Sequence, residues 1–256
     1  MNKVSDEQLE AEHTKAAIAA RLDSPSRYGD LGDMVLGAVD GTVTTFAIVS
    51  GVAGTDISHG TLLAFTLGLA NVLADGFSMG ASNYLKARSD LQTIENYRKK
   101  EEMHIRRIPE SEREEIRQIY IRKGFSGDLL EQIVEQITQN KQLWVETMLT
   151  DEWGLHLSPI SPLRSATLTF GAFLVAGTVP LLPLLLGLFS EINSKTVFLL
   201  CGAFAGIVFL ITGALRGKIL EVSISRSAVE TFVVGGVAAA VAYLVGNVLG
   251  TAFSIH

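Results

Sequence analysis

Two aspartates stand where acids are rarely found. Asp40 lies about a third of the way into an apolar run of roughly 33–54, and Asp75 lies past the middle of a second, about 60–85; neither run contains a Lys or Arg. A charged side chain at mid-bilayer costs at least about 2.5–3.5 kcal/mol on insertion scales. Such an acid persists where it is protonated, hydrogen-bonded to a neighbouring helix, or met by a cation. Met79 follows Asp75 by four residues, which places the two on one helix face. Carboxylates alone suit Mg²⁺ or Ca²⁺, whereas a carboxylate beside a soft thioether leans toward a first-row transition ion such as Fe²⁺. Thr42, Thr44, Thr45, Ser78, Ser82 and Asn83 add neutral oxygens close by in sequence. The functional reading of the two acids is a cation path that can also take up and release protons. The bland alternatives are a hydrogen bond between helices for the aspartates and ordinary packing for Met79.

A second set of candidates lies between residues 86 and 163. Glu101 and His104 are spaced i, i+3, as are Glu112 and Glu115; Glu131 and Glu135 are spaced i, i+4, as are Met148 and Glu152. These spacings put two donors on one face of a helix. Glu-x-x-His is an element of carboxylate-bridged iron sites in helical bundles, and one copy is present. Taken singly, each pair reads as the solvated face of a charged helix or half of a surface ion pair. Their occurrence in a chain that also buries acids in apolar runs is what brings a metal reading forward.

Positioning these residues requires membrane-spanning helices. Crossing the hydrocarbon takes about 20 mostly apolar residues, and five segments qualify, at about 33–54, 60–85, 166–189, 196–215 and 230–252. With five spans, twenty of the 21 Lys and Arg fall on one side: those of residues 1–30, 86–164 and 216–226. Only Lys195, in the 190–195 loop, falls on the other. Cation excess marks the cytoplasmic face, so the N-terminus and residues 86–163 are expected there and the C-terminus opposite. Gly37-x-x-x-Gly41, Gly76-x-x-x-Gly80 and Gly246-x-x-x-Gly250 predict close helix–helix approach. Pro180 and Pro183 predict a kink or break in the third span.

The division expected is therefore a polar segment over 1–30, spans 1–2 over 31–85, a cytoplasmic helical insertion over 86–163, and spans 3–5 over 164–256. Residues 6–22 have the composition of a short helix lying along the membrane surface. The insertion reads as a three-helix unit following an extension of span 2 over about 86–107. A break and cap at Pro109 and Ser111 precede 112–123, Gly124 stops that helix, Ser126 caps 127–139, and a further helix covers about 141–153. Gly154, Pro159 and Pro162 close the insertion. The fold class expected is an all-α membrane protein.

Composition narrows the function further. The chain has 48% hydrophobic and only 19% charged residues, against about 25% charged for an ordinary soluble domain. Disorder and a fibrous repeat are excluded. A net charge of −6 argues against a nucleic-acid binder. The single Cys201 excludes internal disulfides and a Cys-based zinc site. Residues 1–30 hold no apolar core before a cleavage site, so no signal peptide is expected. Walker, dinucleotide and Ser/His/Asp signatures are missing, and no enzyme is expected.

The stretches VLGAVDGTVTTFAIVSGVAG (35–54) and LADGFSMGASNYL (73–85), with five spans and a long acidic insertion after the second, resemble the vacuolar iron transporter family over residues 30–252. The resemblance implies export of Fe²⁺, and often Mn²⁺, from the cytoplasm in exchange for protons, by a homodimer with the path between protomers. It assigns transport-site roles to Asp40 and Met79. It assigns metal binding in the insertion to Glu101, Glu112, Glu115, Met148 and Glu152, with Zn²⁺ as a further occupant and no tightly bound cofactor. Three positions depart from the family pattern. His104 replaces a glutamate, Ser82-Asn83-Tyr84 stands where many members have Gly-Glu-Tyr, and Val39-Asp40-Gly41 stands for Asn-Asp-Gly. Open alternatives are a divalent-cation channel or carrier of another solute, a membrane-tethered ferritin-like iron-oxidising protein, and an interaction protein whose insertion docks a partner.

Overall fold

The computed structural model describes residues 6–23, 28–157 and 161–253. Pro159, one of the residues expected to close the insertion, lies outside them, as do residues 1–5 and 24–27 of the N-terminal segment. The described residues are helical, with no strand among them. In chain order the helices are α1 (Asp6–Glu12), α2 (Lys15–Asp23), α3 (Tyr28–Thr55), α4 (Gly60–Arg107), α5 (Pro109–Arg122), α6 (Gly127–Gln139), α7 (Lys141–Thr147), α8 (Pro162–Thr178), α9 (Leu182–Leu188), α10 (Ser194–Ile219) and α11 (Ile224–Ala252). A π-turn at Met148–Glu152 extends α7, and a 3₁₀ turn at Val179–Leu181 joins α8 to α9. Five helical segments are long and apolar enough to cross a membrane: Gly29–Thr55, Gly60–Arg107, Pro162–Leu188, Ser194–Ile219 and Ile224–Ala252. This is a multi-pass, all-α membrane protein.

The chain forms two compact units, one of residues 1–84 with 162–256 and one of residues 85–161. In the first, α3 packs along α8, α10 and α11. Small residues permit this. A Cβ built on Gly37 would lie 2.2 Å from the Thr169 carbonyl oxygen, and one on Gly246 would lie 2.0 Å from that of Gly51. Backbone meets backbone at both crossings, as the Gly-x-x-x-Gly pattern requires. An apolar cluster of Val49, Ala64, Val72, Leu181, Leu184, Val197 and Cys201 fills the interior. The third span breaks where Pro180 removes a helical donor, giving the 3₁₀ turn. An ion pair of Arg164 with Asp30 at 2.7 Å joins the starts of α8 and α3.

The second unit is built on the end of α4 with α5, α6 and α7. Their apolar faces meet in a cluster of Ile116, Leu130, Val134, Ile137, Trp144 and Met148. The predicted ends hold with three corrections. Helix α5 begins at Pro109, its first-turn proline, so Ser111 lies inside the first turn and caps nothing. Ser126 occupies the N-cap of α6 but makes no side-chain capping bond. The last helix ends at Thr147 and gives way to the π-turn rather than running on to 153. Gly124 stops α5 with φ +95°, and Gly124 and Phe125 donate back to Ile121 and Tyr120, the bonds of a left-handed helix stop. Residues 6–22, expected as one helix, are two, α1 and α2, divided at His13–Thr14.

Candidate metal centre

Three of the predicted ligands converge. Glu101 and His104 come from the last turns of α4, and Glu112 comes from the first turn of α5. One donor atom of each lies within 4.8 Å of the others. His104 Nδ1 is 3.2 Å from Glu112 Oε1 and 3.9 Å from Glu101 Oε2. The chain reverses at Ile108–Pro109, which folds the start of α5 back on the end of α4 and brings Glu112 to the Glu-x-x-His element.

Burial gives this group its chemistry. Glu101 is 1% exposed and Glu112 is 0% exposed. Both carboxylate oxygens of Glu112 are buried without a hydrogen-bond donor in bonding geometry. A buried carboxylate in that state is costly unless it is protonated or meets a cation. Burial first, then the charges of Glu115, Glu101 and Glu152, pushes Glu112 up to about 7. Glu152, at the end of the π-turn, keeps an exposed surface. Yet partial burial of its carboxyl, followed by the charges of Glu115 and Glu101, pushes it up to about 7 as well. Four carboxylates and one imidazole thus share one electrostatic site, and two of the acids are poised to release protons near neutrality. Two carboxylates with an imidazole match the hard-to-borderline donor set of Fe²⁺, Mn²⁺ or Zn²⁺.

The remaining candidates are placed as follows. Glu115 is exposed and joins the site through its charge. Met148 is fully buried in the apolar cluster of the second unit. Glu131 and Glu135 are not part of the group: Arg117 bonds Glu131, and Arg113 bonds Glu135. Those ion pairs hold both acids in the ionised form and below the usual carboxylate range. For that pair the ordinary reading, a surface salt bridge tying α5 to α6, is the correct one.

In the membrane unit, Asp40 is half-buried, Met79 half-buried and Asp75 exposed. Thr44 donates to the Asp40 carbonyl at 2.9 Å, and Asn71 donates to Thr44 at 3.2 Å. Asn83 donates to Asp33 at 2.8 Å and to the Thr169 hydroxyl at 2.7 Å, so it ties α4 to α3 and α8. Trp153 is the feature that spacing did not flag: its indole N–H donates to Glu101 Oε1 at 3.0 Å.

Fold and site together define a multi-pass helical membrane protein with a buried carboxylate–imidazole cluster in a helical insertion. Residues 31–247 match the model of the VIT family. The chain belongs to the VIT (vacuolar iron transporter) family. It is similar to a vacuolar iron transporter of Toxoplasma gondii, 33% identical over 224 residues, covering 84% of this chain and 73% of that protein. It is similar to vacuolar iron transporter 1 of Oryza sativa subsp. japonica, 29% identical over 234 residues and 90% of each chain. The Arabidopsis thaliana vacuolar iron transporter 1 is 30% identical over 218 residues, 85% of each chain.

Proposed function

We propose that this chain is an iron transporter that moves Fe²⁺, and Mn²⁺ as a second cargo, out of the cytoplasm in exchange for protons, as a homodimer. The observation that carries the reading is Glu112: a fully buried carboxylate whose oxygens have no partner in hydrogen-bonding geometry, set against His104 and Glu101. A divalent cation supplies the missing partner. Family membership and the iron named for its relatives supply the cargo.

Metal enters on the cytoplasmic side, where twenty of the 21 cationic residues are expected. The clustered acids of the insertion concentrate it. Binding at Glu101, His104 and Glu112, with Glu115, Glu152 and Met148 in support, displaces protons from the two acids titrating near 7. Asp40, with Met79 and Asp75, is the transfer site within the spans. There a single carboxylate carries a metal in one direction and a proton in the other, so no bare charge is left in the hydrocarbon. One Glu-x-x-His element is too few for a di-iron oxidase, which uses two.

The test is transport in proteoliposomes with Fe²⁺, Mn²⁺, Zn²⁺ and Ca²⁺, with and without a pH gradient. Fe²⁺ and Mn²⁺ uptake should rise with an opposing proton gradient, and Asp40→Ala should abolish it. Transport unchanged by Asp40→Ala removes the central site, and transport indifferent to the gradient removes the exchange.

A further inference from the structure

Glu101 carries two oxygens, and they are not equivalent. Oε1 accepts a hydrogen bond from the Trp153 indole N–H at 3.0 Å, while Oε2 faces His104 Nδ1 at 3.9 Å. The indole is itself fixed. Its ring packs on Tyr97 with centroids 4.5 Å apart, and Lys100 Nζ stands 4.2 Å from its centroid on a cation–π contact. Its backbone is set by the π-turn: the Trp153 N–H donates to the Met148 carbonyl at 3.2 Å, and Gly154, with φ +64°, ends the segment. An extra residue wound into the last turn thus delivers the indole donor to Glu101.

We propose that Trp153 is a positioning and specificity-determining residue of the metal centre: by occupying Glu101 Oε1 it makes Glu101 a one-oxygen ligand through Oε2, and so biases the site against large hard cations. This rests on the metal-binding reading given above. Ca²⁺ takes six to eight oxygens and gains from two-oxygen carboxylate ligation. Transition ions at nitrogen-containing sites hold fewer ligands at shorter distances. A carboxylate with one oxygen already committed, paired with an imidazole, therefore favours Mn²⁺, Fe²⁺ or Zn²⁺ over Ca²⁺. Outer-shell donors of this kind hold a ligating carboxylate in one orientation, and their loss typically costs about 10–100-fold in metal affinity.

The test uses the full-length protein in detergent, with Mn²⁺, Zn²⁺ and Ca²⁺ as probes in dye competition. Binding that disappears in Glu101→Ala defines this centre. Trp153→Phe keeps an aromatic ring between Tyr97 and Lys100 and removes the N–H together with the pyrrole ring. It should weaken Mn²⁺ and Zn²⁺ about tenfold while leaving Ca²⁺ unchanged or tighter, so that the preference for transition ions narrows. A second arm uses Trp144→Phe, which leaves Trp153 the sole tryptophan of the two in the chain; Trp144 is buried in the apolar cluster of the second unit and is not among Glu101, His104 and Glu112. There, Trp153 emission should change on Mn²⁺ addition with the midpoint that dye competition gives. Equal weakening of all three ions, or none, in Trp153→Phe overturns the proposal. Emission blind to Mn²⁺ bound at the Glu101-dependent site does so too, even where Trp153→Phe fails to fold. Wild-type protein with no Glu101-dependent binding overturns the metal reading itself.

Discussion

Glu112 shows how one contact turns a common residue type into a candidate ligand. Glu-x-x-His was visible on α4 from spacing alone. The third donor was visible only as half of another i, i+3 pair, because its neighbours are set by the reversal at Ile108–Pro109 and not by helix period. Trp153 gave no signal at all, since the direction of an indole N–H depends on a π-turn that spacing does not reveal. The raised carboxyls carry a prediction with a definite sign. A carboxyl whose pKa in the fold, about 7 for Glu112 and Glu152, exceeds its unfolded value near 4.3 adds stability that is fully present below that lower value. This contribution is lost as pH rises through about 7. The metal-free protein should therefore melt at a lower temperature at pH 8 than at pH 5.5, all else in the insertion being equal. Mn²⁺ should raise the melting temperature more at pH 8 than at pH 5.5, because at acid pH it must displace protons to bind. Calorimetric melting across that range checks both, and Glu112→Gln, neutral at every pH, should flatten the metal-free pH dependence.

At the scale of elements, most of the architecture was legible because it rests on strong periodic signals. Long apolar runs marked the spans, Pro180 marked the break between α8 and α9, and the paired glycines marked the crossings of α3 with α8 and α11. What escaped was local hydrogen bonding, which several residues can supply. Ser126 looked like a capping residue and bonds nothing, whereas Asn140 accepts from the backbone N–H groups of Gln142 and Leu143. That cap turns the chain from α6 into α7 and so fixes the start of the segment that ends at Met148, Glu152 and Trp153. Asn140→Ala should cost about 1 kcal/mol. Hydrogen exchange on the full chain should show faster exchange at Gln142 and Leu143. Little should change at α5 and α6, which are tied by the Arg117–Glu131 and Arg113–Glu135 pairs. Because the cap lies outside the donor set, metal binding should survive, weakened only so far as the π-turn loosens.

At the scale of the whole molecule, Asp75 is the residue whose surroundings need explaining. It is exposed on α4, with Ser78 and Ser82 exposed on the same side of the helix and Met79 half-covered beside them. A polar stripe on a spanning helix facing lipid pays the insertion cost of its acid with nothing in return. Meeting another protein surface removes that cost and encloses a polar passage. In a twofold assembly the same patch meets itself, so a residue on this stripe near the axis should lie opposite its own copy. With Cys201, the sole native cysteine, replaced by Ala, Ser78→Cys should give a disulfide-linked dimer under mild oxidation in native membranes. Leu244→Cys, 60% exposed on α11, should give none. Cross-linking through Leu244→Cys but not Ser78→Cys would place the interface on α11 and leave Asp75 turned to lipid. The proposed exchange of metal for protons between protomers would then lose its passage, while the candidate metal centre of the insertion, built within one chain from Glu101, His104 and Glu112, would stand unchanged.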